Sequence, residues 1–460
     1  MNRRARLLVL IAASGLAARP AAAQTGVLAH ALGAPDDLTI TATVRARVET
    51  IANQFRPNAA ENDTMFSVRT ALAAELDAGP VRFGAEVWDA RAYGQAANSS
   101  VSTTDVNAFE LVQAYARIEF GDWAKGGKGG KGLLTLGRFT LDVGSRRLLA
   151  RNRFRNTTNG FTGAHAEWTT AGGAQLLAFW AMPQLRRPDD RDGLQSNRLE
   201  FDLETTGVQF FGGHAAIPRV PGGALEGYVY RLTEKDGADR LTRNRRLWTV
   251  GLRHFARPAQ GKWDHDVEAA YQFGKVRRSN AASDMADLAV SAWFVHAEMG
   301  YSFPAGWKPR LSVSFDEASG DGGKPGRFGR FDTLFGARRF DFGPTALYGP
   351  IGRANLVSPG ARLELVPGER TDAMIGYRAA WAQNARDAFS ATGVRDASGQ
   401  SGRFAGHQIE ARLRHWLVPG LLQVDTGGAV LIKRGLLRAA PNAPATGNTV
   451  YGYVDLILTL

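Results

Sequence analysis

The stretch GSRRLLARNRFRNTTN, residues 144–159, carries Arg146, Arg147, Arg151, Arg153 and Arg155 and no acidic residue. A guanidinium is a permanently charged planar fork that grips carboxylates and phosphates through paired N–H donors. So dense a cluster needs water, acids from elsewhere in the chain, or a bound anion. Two placements compete. On an outer surface the cluster is solvated or meets lipopolysaccharide phosphates. Folded into a channel mouth it forms an anion-selective constriction, with Leu148-Leu149-Ala150 anchoring the loop to a wall. The second is favoured, because charged rings inside pores set selectivity. Asn152, Asn156 and Asn159 can hold the loop's turns through side-chain-to-backbone hydrogen bonds.

Other chemistry finds little support. Ser145, His165 and Asp142 could be assembled into a triad, but no G-x-S-x-G elbow surrounds the serine. The eight histidines are scattered without HExxH-like spacing and there is no cysteine, so no metal site is expected. Asp316, Asp321 and Asp332 read as solvated loop acids rather than calcium ligands. GGKGGKG, residues 126–132, reads as a solvated connector, since no GK[ST] follows and no helix starts. No enzyme activity and no cofactor are expected, and nucleic acid is set aside because the chain opens on an export signal.

That signal is Arg3, Arg4 and Arg6 before an apolar run from Leu7 to Ala18, with Ala21-Ala22-Ala23 as a cleavage site. Residues 1–23 are read as a signal peptide and 24–460 as one domain, exported from a bacterial cytoplasm. Cleavage removes four arginines and no acid from a formal charge of +12, leaving a basic chain. A basic balance favours anionic partners without specifying a fold.

What must position the arginines is a period of two. In LTITATVRARVE, residues 38–49, Leu38, Ile40, Ala42, Val44, Ala46 and Val48 share one face, while Arg45, Arg47 and Glu49 share the other. That is a strand long enough to cross an outer membrane when tilted. Phe66, Val68 and Leu72 alternate likewise with Ser67 and Arg69. Val112, Ala114, Ala116 and Ile118 alternate with Gln113, Tyr115 and Arg117. In LLTLGRFTLDVG the parity of Leu134 and Leu136 differs from that of Phe139, Leu141 and Val143. A bulge at Gly137 would repair this and turn Arg138, Thr140 and Asp142 to the polar face.

About 18 such segments follow one another. Short connections such as DAGP (77–80), PAGW (304–307) and VPG (418–420) alternate with long ones such as 94–106, 183–200, 318–351 and 382–402. Short periplasmic turns and long extracellular loops mark a transmembrane antiparallel β-barrel, all-β in class. Trp168, Trp180, Trp263, Trp307, Trp381, Trp416 and Tyr453 near strand ends fit interfacial girdles. The chain ends VYGYVDLILTL, a strand of the kind read by barrel-assembly machinery. A soluble secreted β-sandwich is the rival from another class.

RTALAAELDAGPVRFGAEVWDARAYG (69–94), FELVQAYARIEF (109–120), LGRFTLDVGSRRLLARNRFRNTTNGF (136–161) and FDTLFGARRFDFG (331–343), followed by Asn355, resemble the alginate-export family of outer-membrane barrels. The resemblance implies an 18-stranded barrel whose arginine-rich lumen conducts a polyuronate outward. It implies lumenal roles for Arg69, Arg117, Arg138, Arg412 and Arg414. One feature departs from the family's alginate exporter: VPG closes the last periplasmic turn in three residues, where the exporter has a long gating loop.

Parity places Arg45, Arg47, Arg69, Arg82, Arg117, Arg138, Arg253, Arg310, Arg362, Arg378, Arg412 and Arg414 on the inner wall. It places there also Glu49, Glu75, Glu86, Glu119, Asp142, Glu268, Glu298, Asp316, Glu364, Asp372, Glu410 and Asp425. Such a wall either neutralises itself through cross-strand pairs or presents forks to a passing carboxylate, with nearby acids preventing tight trapping. The expected function is an outer-membrane channel for anionic solutes, with uronate polysaccharide export within its range. A general diffusion porin with little selectivity is the alternative. The expected partners are outer-membrane lipid and lipopolysaccharide, the assembly machinery, and an anionic solute or polyuronate.

Overall fold

The computed structural model describes residues 28, 31–121, 129–237 and 240–460. The signal-peptide reading, and residues 126–128 of the GGKGGKG connector, fall outside them.

Alternation becomes strand wherever it was expected. In chain order the elements are β1 (Leu38–Ala52), β2 (Asp63–Asp77), β3 (Val81–Tyr93), β4 (Asn107–Phe120), β5 (Lys131–Phe139), β6 (Phe161–Thr169) and β7 (Gln175–Pro183). There follow β8 (Val208–Val220), β9 (Gly223–Glu234), β10 (Arg246–Ala256), β11 (Trp263–Val276), β12 (Leu288–Ser302) and β13 (Arg310–Ala318). The last are β14 (Arg327–Phe328), β15 (Leu356–Gly368), β16 (Thr371–Trp381), β17 (Phe404–Val418), β18 (Leu422–Lys433) and β19 (Thr449–Thr459). Each wall strand pairs antiparallel with the next, β13 passing directly to β15, and β19 returns to pair with β1. The result is a closed barrel of 18 antiparallel strands. The two-residue β14 stands outside that count and pairs parallel with β12 at Ala289 and Val290. Closure removes every free sheet edge, as a hydrocarbon surround requires.

The two faces separate as the period of two demands. Val48, Phe66, Leu72, Leu311, Ile375 and Val454 are exposed on the outside, while Arg45, Arg47, Glu49, Arg69 and Asp455 are buried within. The long connections share one rim and the short ones, including 419–421 between β17 and β18, share the other. By that asymmetry the long-loop rim is extracellular.

Three local readings are corrected. At Gly137 there is no bulge: β5 pairs with β4 and β6 without a register shift. Gly137 instead adopts φ +115°, with the Ala114 carbonyl 2.3 Å from where a Cβ would stand, so only glycine fits. Phe139, Leu141 and Val143 therefore stay buried inside the bore instead of facing lipid. The irregularity lies in β4, where pairing shifts between Glu86 and Val87; Val112 is buried there and Phe109 is exposed. Tyr453 belongs to no girdle. It is buried inside, donating to Asp425 at 2.7 Å, whereas Trp180, Trp263 and Trp307 are exposed as girdle residues should be.

The apolar core sits inside the barrel, between the wall and in-folded loops. One cluster sets Leu148 and Leu149 against Phe161, Phe179, Phe210 and Tyr230. The other gathers Phe342, Leu347, Tyr348 and Ile351 against Phe55 and Tyr451. Burying each of these large side chains contributes roughly 1.5–3 kcal/mol. Segments 140–160 and 319–355 are thereby held within the extracellular half of the lumen.

Candidate functional site

The arginine-rich segment enters the bore and is fixed by three kinds of contact. Leu148-Leu149-Ala150 anchors it, as its apolar character demanded. Leu149 forms a parallel bridge to Phe335 of the second in-folded loop, with Ala150 N–H donating to the Phe335 carbonyl at 3.1 Å and Phe335 N–H to the Leu148 carbonyl at 3.0 Å. The approach is so close that a Cβ on Gly336 would stand 1.8 Å from the Arg147 carbonyl oxygen.

The second contact runs the opposite way from the expected one: wall arginines hold loop carbonyls. Arg45 donates to the carbonyls of Arg153 (3.1 Å), Phe154 (2.8 Å) and Arg155 (3.1 Å) and to Asn156 Oδ1 (2.9 Å). Arg69 donates to the carbonyls of Arg153 and Arg155, and Arg47 to that of Phe154. Side-chain amides make the third. Asn156 Nδ2 donates to the carbonyls of Val68, Arg91 and Asp105, and Asn159 Nδ2 to those of Ala150 and Phe335. Asn152 does not share this role; its buried Nδ2 has no partner.

The loop arginines divide. Arg147 is buried among Asp266 (3.1 Å), Glu268 (2.7 Å) and Asp341 (3.0 Å), a structural knot. Arg151 pairs with Glu86 at 2.5 Å and lies over Trp88. Arg153 meets Asp142 at 3.2 Å with 73% of its side chain exposed. Arg146 has no acid partner and lies over the Phe340 ring. Among the described residues Arg155 has no side-chain hydrogen-bond or ion-pair partner. Withdrawal from bulk water, with Arg338 and Arg186 nearby, pushes its pKa down to about 9.

The wall arginines are mostly neutralised by the wall itself. Arg47 pairs with Asp455 and Glu49, Arg253 with Asp266 and Glu226, Arg310 with Asp264, Glu298 and Glu364, and Arg378 with Asp316. Arg82 pairs with Glu119, Arg117 stands 3.7 Å from Glu75, and Arg412 and Arg414 share Asp372. Arg138 is tied to Glu110 and to Glu204 of a long loop, and Arg362 donates to the Phe340 carbonyl. Among the described residues Arg45, Arg69 and Arg362 of the singled-out wall set make no ion pair, their donors being taken by carbonyls of the in-folded loops.

Two chambers result. On the periplasmic side a cavity of about 620 Å³ is lined by Arg117, Arg257, Asp142, Glu167 and Glu226 beside Phe139 and His214. On the extracellular side a cavity of about 320 Å³ is lined by Arg155, Arg243, Arg330, Arg338 and Arg353, with Asp332 as its one carboxylate. Asp332 is already held by Arg245 at 2.8 Å. Residues Arg243, Arg330, Arg338 and Arg353 escaped the sequence reading, since parity gives no direction in a loop. All five lie in connections, Arg155 after β5, Arg243 after β9 and the other three between β13 and β15, and only the fold gathers them.

A model of the alginate-export family matches residues 36–446. The chain belongs to the alginate-export family. Solved structures similar in fold are outer-membrane channels: Pseudomonas aeruginosa OpdO (15% identity, 92% of this chain and 97% of that one, TM-score 0.57) and Acinetobacter baumannii OccAB1 (11%, 92% and 97%, 0.57). Another is P. aeruginosa OccK2 (OpdF) in complex with glucuronate (12%, 92% and 96%, 0.53). No curated protein sequence matches the chain. This member of the alginate-export family is an outer-membrane β-barrel with the architecture of a channel.

The remaining sequence candidates disperse. Ser145 Oγ accepts from the Arg147 N–H, while His165 stands 3.4 Å from Glu167, so the serine and histidine are not joined. Asp316 is engaged by His296 and Arg378, Asp321 by Arg278 and Asp332 by Arg245. Among the described residues no group of three metal-ligating side chains occurs.

Proposed function

We propose that this barrel passes small anionic solutes across the outer membrane, the carboxylated sugars and related acids first among them. One observation carries the reading: five arginines line the extracellular chamber, and while Arg330 pairs with Asp387 and Arg353 with Asp341, Arg155, Arg243 and Arg338 make no ion pair, and the one lining carboxylate, Asp332, is already paired to Arg245. Uncompensated positive charge at a narrow point concentrates anions and repels cations. Below it, paired forks such as Arg414 with Asp372 offer weaker exchange partners, favourable to meet and easy to leave.

Small acids fit better than a polymer. In-folded segments 140–160 and 319–355 occupy the extracellular half of the bore, and a continuous chain would have to displace them. A glucuronate complex of the structurally similar OccK2 (OpdF) is in keeping with this substrate class. The self-neutralised wall supports a second reading, a general diffusion porin with little selectivity. We further read residues 1–23 as the export signal of a single-domain barrel.

Planar-bilayer recording under a potassium chloride gradient decides between them. The expected reversal potential is that of a chloride-preferring pore. A value near zero favours the general porin, and a cation-preferring value defeats the anion reading.

A further inference from the structure

Most buried or half-buried arginines in this molecule have an evident partner. Arg155 and Arg338 do not. Neither side chain donates to a carbonyl, hydroxyl or carboxylate, and the Arg338 Nε is fully covered without a hydrogen-bond acceptor. Both line the extracellular chamber, Arg155 from the segment after β5 and Arg338 from the segment after β14. Arg186 and Arg56 add to the charge without supplying an acid: Arg186 is used on the Thr158 carbonyl, and Arg56 on those of Leu347 and Tyr348. Asp105, whose charge reaches Arg155, is engaged by Ser102 and Thr104.

Arginine keeps its proton in proteins. The downward pressure on Arg155, and on Arg338 to about 10, therefore expresses first their withdrawal from bulk water and then nearby like charge, Arg338 and Arg186 on Arg155 and Arg56 on Arg338. Arg147, in the same loop as Arg155, is by contrast met by Asp341 at 3.0 Å. The position of Arg155 and Arg338 is instead open to a chamber of about 320 Å³, at the small end of the roughly 300–1,000 Å³ typical of small-molecule sites.

We propose that Arg155 and Arg338 form a binding site for the carboxylate of a small hydroxylated acid at the extracellular side of the lumen. Two planar forks suit a carboxylate, which accepts in the same plane. Phe328 and Phe331 give the chamber an apolar flank, and Asp332 and Thr333 a hydrogen-bonding one. That combination matches a sugar-like body with an apolar face and a rim of hydroxyls. A phosphate would satisfy the charge but leave most of the volume unfilled. The site differs from the positions implied by family resemblance, since Arg117, Arg138, Arg412 and Arg414 all have acids of their own. It deepens the anion-channel reading and rests on it for its physiological meaning, but the binding can be measured separately.

The test is calorimetric titration of the full detergent-purified barrel in low-chloride buffer with glucuronate, glucose and inorganic phosphate. Glucuronate binds and glucose does not; Arg155→Gln and Arg338→Gln each weaken glucuronate binding at least about tenfold. Arg155→Lys keeps the charge and recovers part of it. Arg198→Gln, an exposed loop change, has no effect. Equal binding of glucose and glucuronate, or binding unaltered by the double Gln variant, overturns the site. Phosphate binding tighter than glucuronate overturns the carboxylate assignment in favour of a phosphate, such as that of lipopolysaccharide. If the variants do not show the heat-modifiable migration of a folded barrel, the unaltered chain still decides. Glucuronate added at the long-loop side shortens channel openings more than the same concentration at the other side, and equal effects overturn the site. Reversal potential is recorded in parallel. Anion preference without glucuronate binding removes this site and leaves the channel reading; glucuronate binding with cation preference does the reverse.

Discussion

The two chambers of the lumen are built on opposite charge logic. Around the periplasmic one, arginines and acids come from strands one or two apart and largely cancel: Arg117 near Glu75, Arg82 with Glu119, Arg253 with Glu226. Around the extracellular one, arginines come from loops and cancel only in part: Arg330 has Asp387 and Arg353 has Asp341, but Arg155, Arg243 and Arg338 have no acid. Strand register explains the difference. A sheet sets inward side chains opposite one another at fixed spacing, so unlike charges pair by default. Loops meet wherever packing brings them, and like charges can be gathered and kept. On the proposed anion reading, selectivity therefore resides in the loops, and the wall supplies the means of holding them.

The largest expected effect follows from the knot between the chambers. Arg147→Met leaves Asp266, Glu268 and Asp341 facing one another without their shared cation, though Arg253 and Arg353 retain contacts to two of them. Breaking a buried ion cluster costs about 3–5 kcal/mol. The heat-modifiability midpoint should fall sharply, and Asp341→Asn in the same chain should restore part of it. The matched change in the open chamber, Arg117→Met, removes a half-exposed pair and should cost no more than about 1 kcal/mol. Equal losses would mean that the two halves are not built differently.

Next in size is the clamp. Arg45 and Arg69 together donate six hydrogen bonds to the segment 153–156, and bonds from a charged donor contribute about 1.5–3 kcal/mol each. In the Arg45→Ala, Arg69→Ala double variant the segment is released, so single-channel conductance should rise and current noise increase. Unchanged conductance would show that the segment does not stand in the path of ions. A charge reversal then compares the chambers directly. Arg155→Glu should move the reversal potential toward cation preference further than Arg117→Glu does, since only the first charge is uncompensated. The opposite ranking would return selectivity to the wall.

The same difference governs what the sequence could reveal. Parity alone places Arg45, Arg47, Arg69 and Glu49 inside, because alternation leaves each residue one face or the other. It fails at Gly137 and Val112, where a glycine φ and a shifted pairing change the outcome without changing the hydrophobic pattern. The in-folding of 144–159 is legible from Leu148-Leu149-Ala150, an apolar anchor with no reason to be in water. What the anchor meets is not legible: Phe335 and Gly336 lie nearly two hundred residues away, and nothing local marks them as its partners. For the same reason the chemistry expected of Arg45 and Arg69 was a grip on solute, whereas their donors are taken by backbone carbonyls, which carry no sequence signature. Arg338 stands in the quoted FDTLFGARRFDFG segment, but only the fold shows that its neighbour Arg339 has Glu410 while Arg338 has no acid.

The smallest effect concerns the pair that family resemblance makes most prominent. Arg412 and Arg414 sit two residues apart on β17 and both reach Asp372 of β16, at 3.2 and 3.0 Å. In Arg414→Gln the acid keeps Arg412, so no charge is stranded, and at this half-exposed position stability should change by less than about 1 kcal/mol. One positive charge is nonetheless lost from the bore, and the reversal potential should shift slightly toward cations, by less than in Arg155→Glu. Adding Asp372→Asn removes the acid as well and should bring the reversal potential back toward the unaltered value. A shift from Arg414→Gln as large as that from Arg155→Glu would mean that a self-paired wall fork governs permeation as strongly as an unpaired loop charge. The contrast between the chambers would then lose its functional meaning.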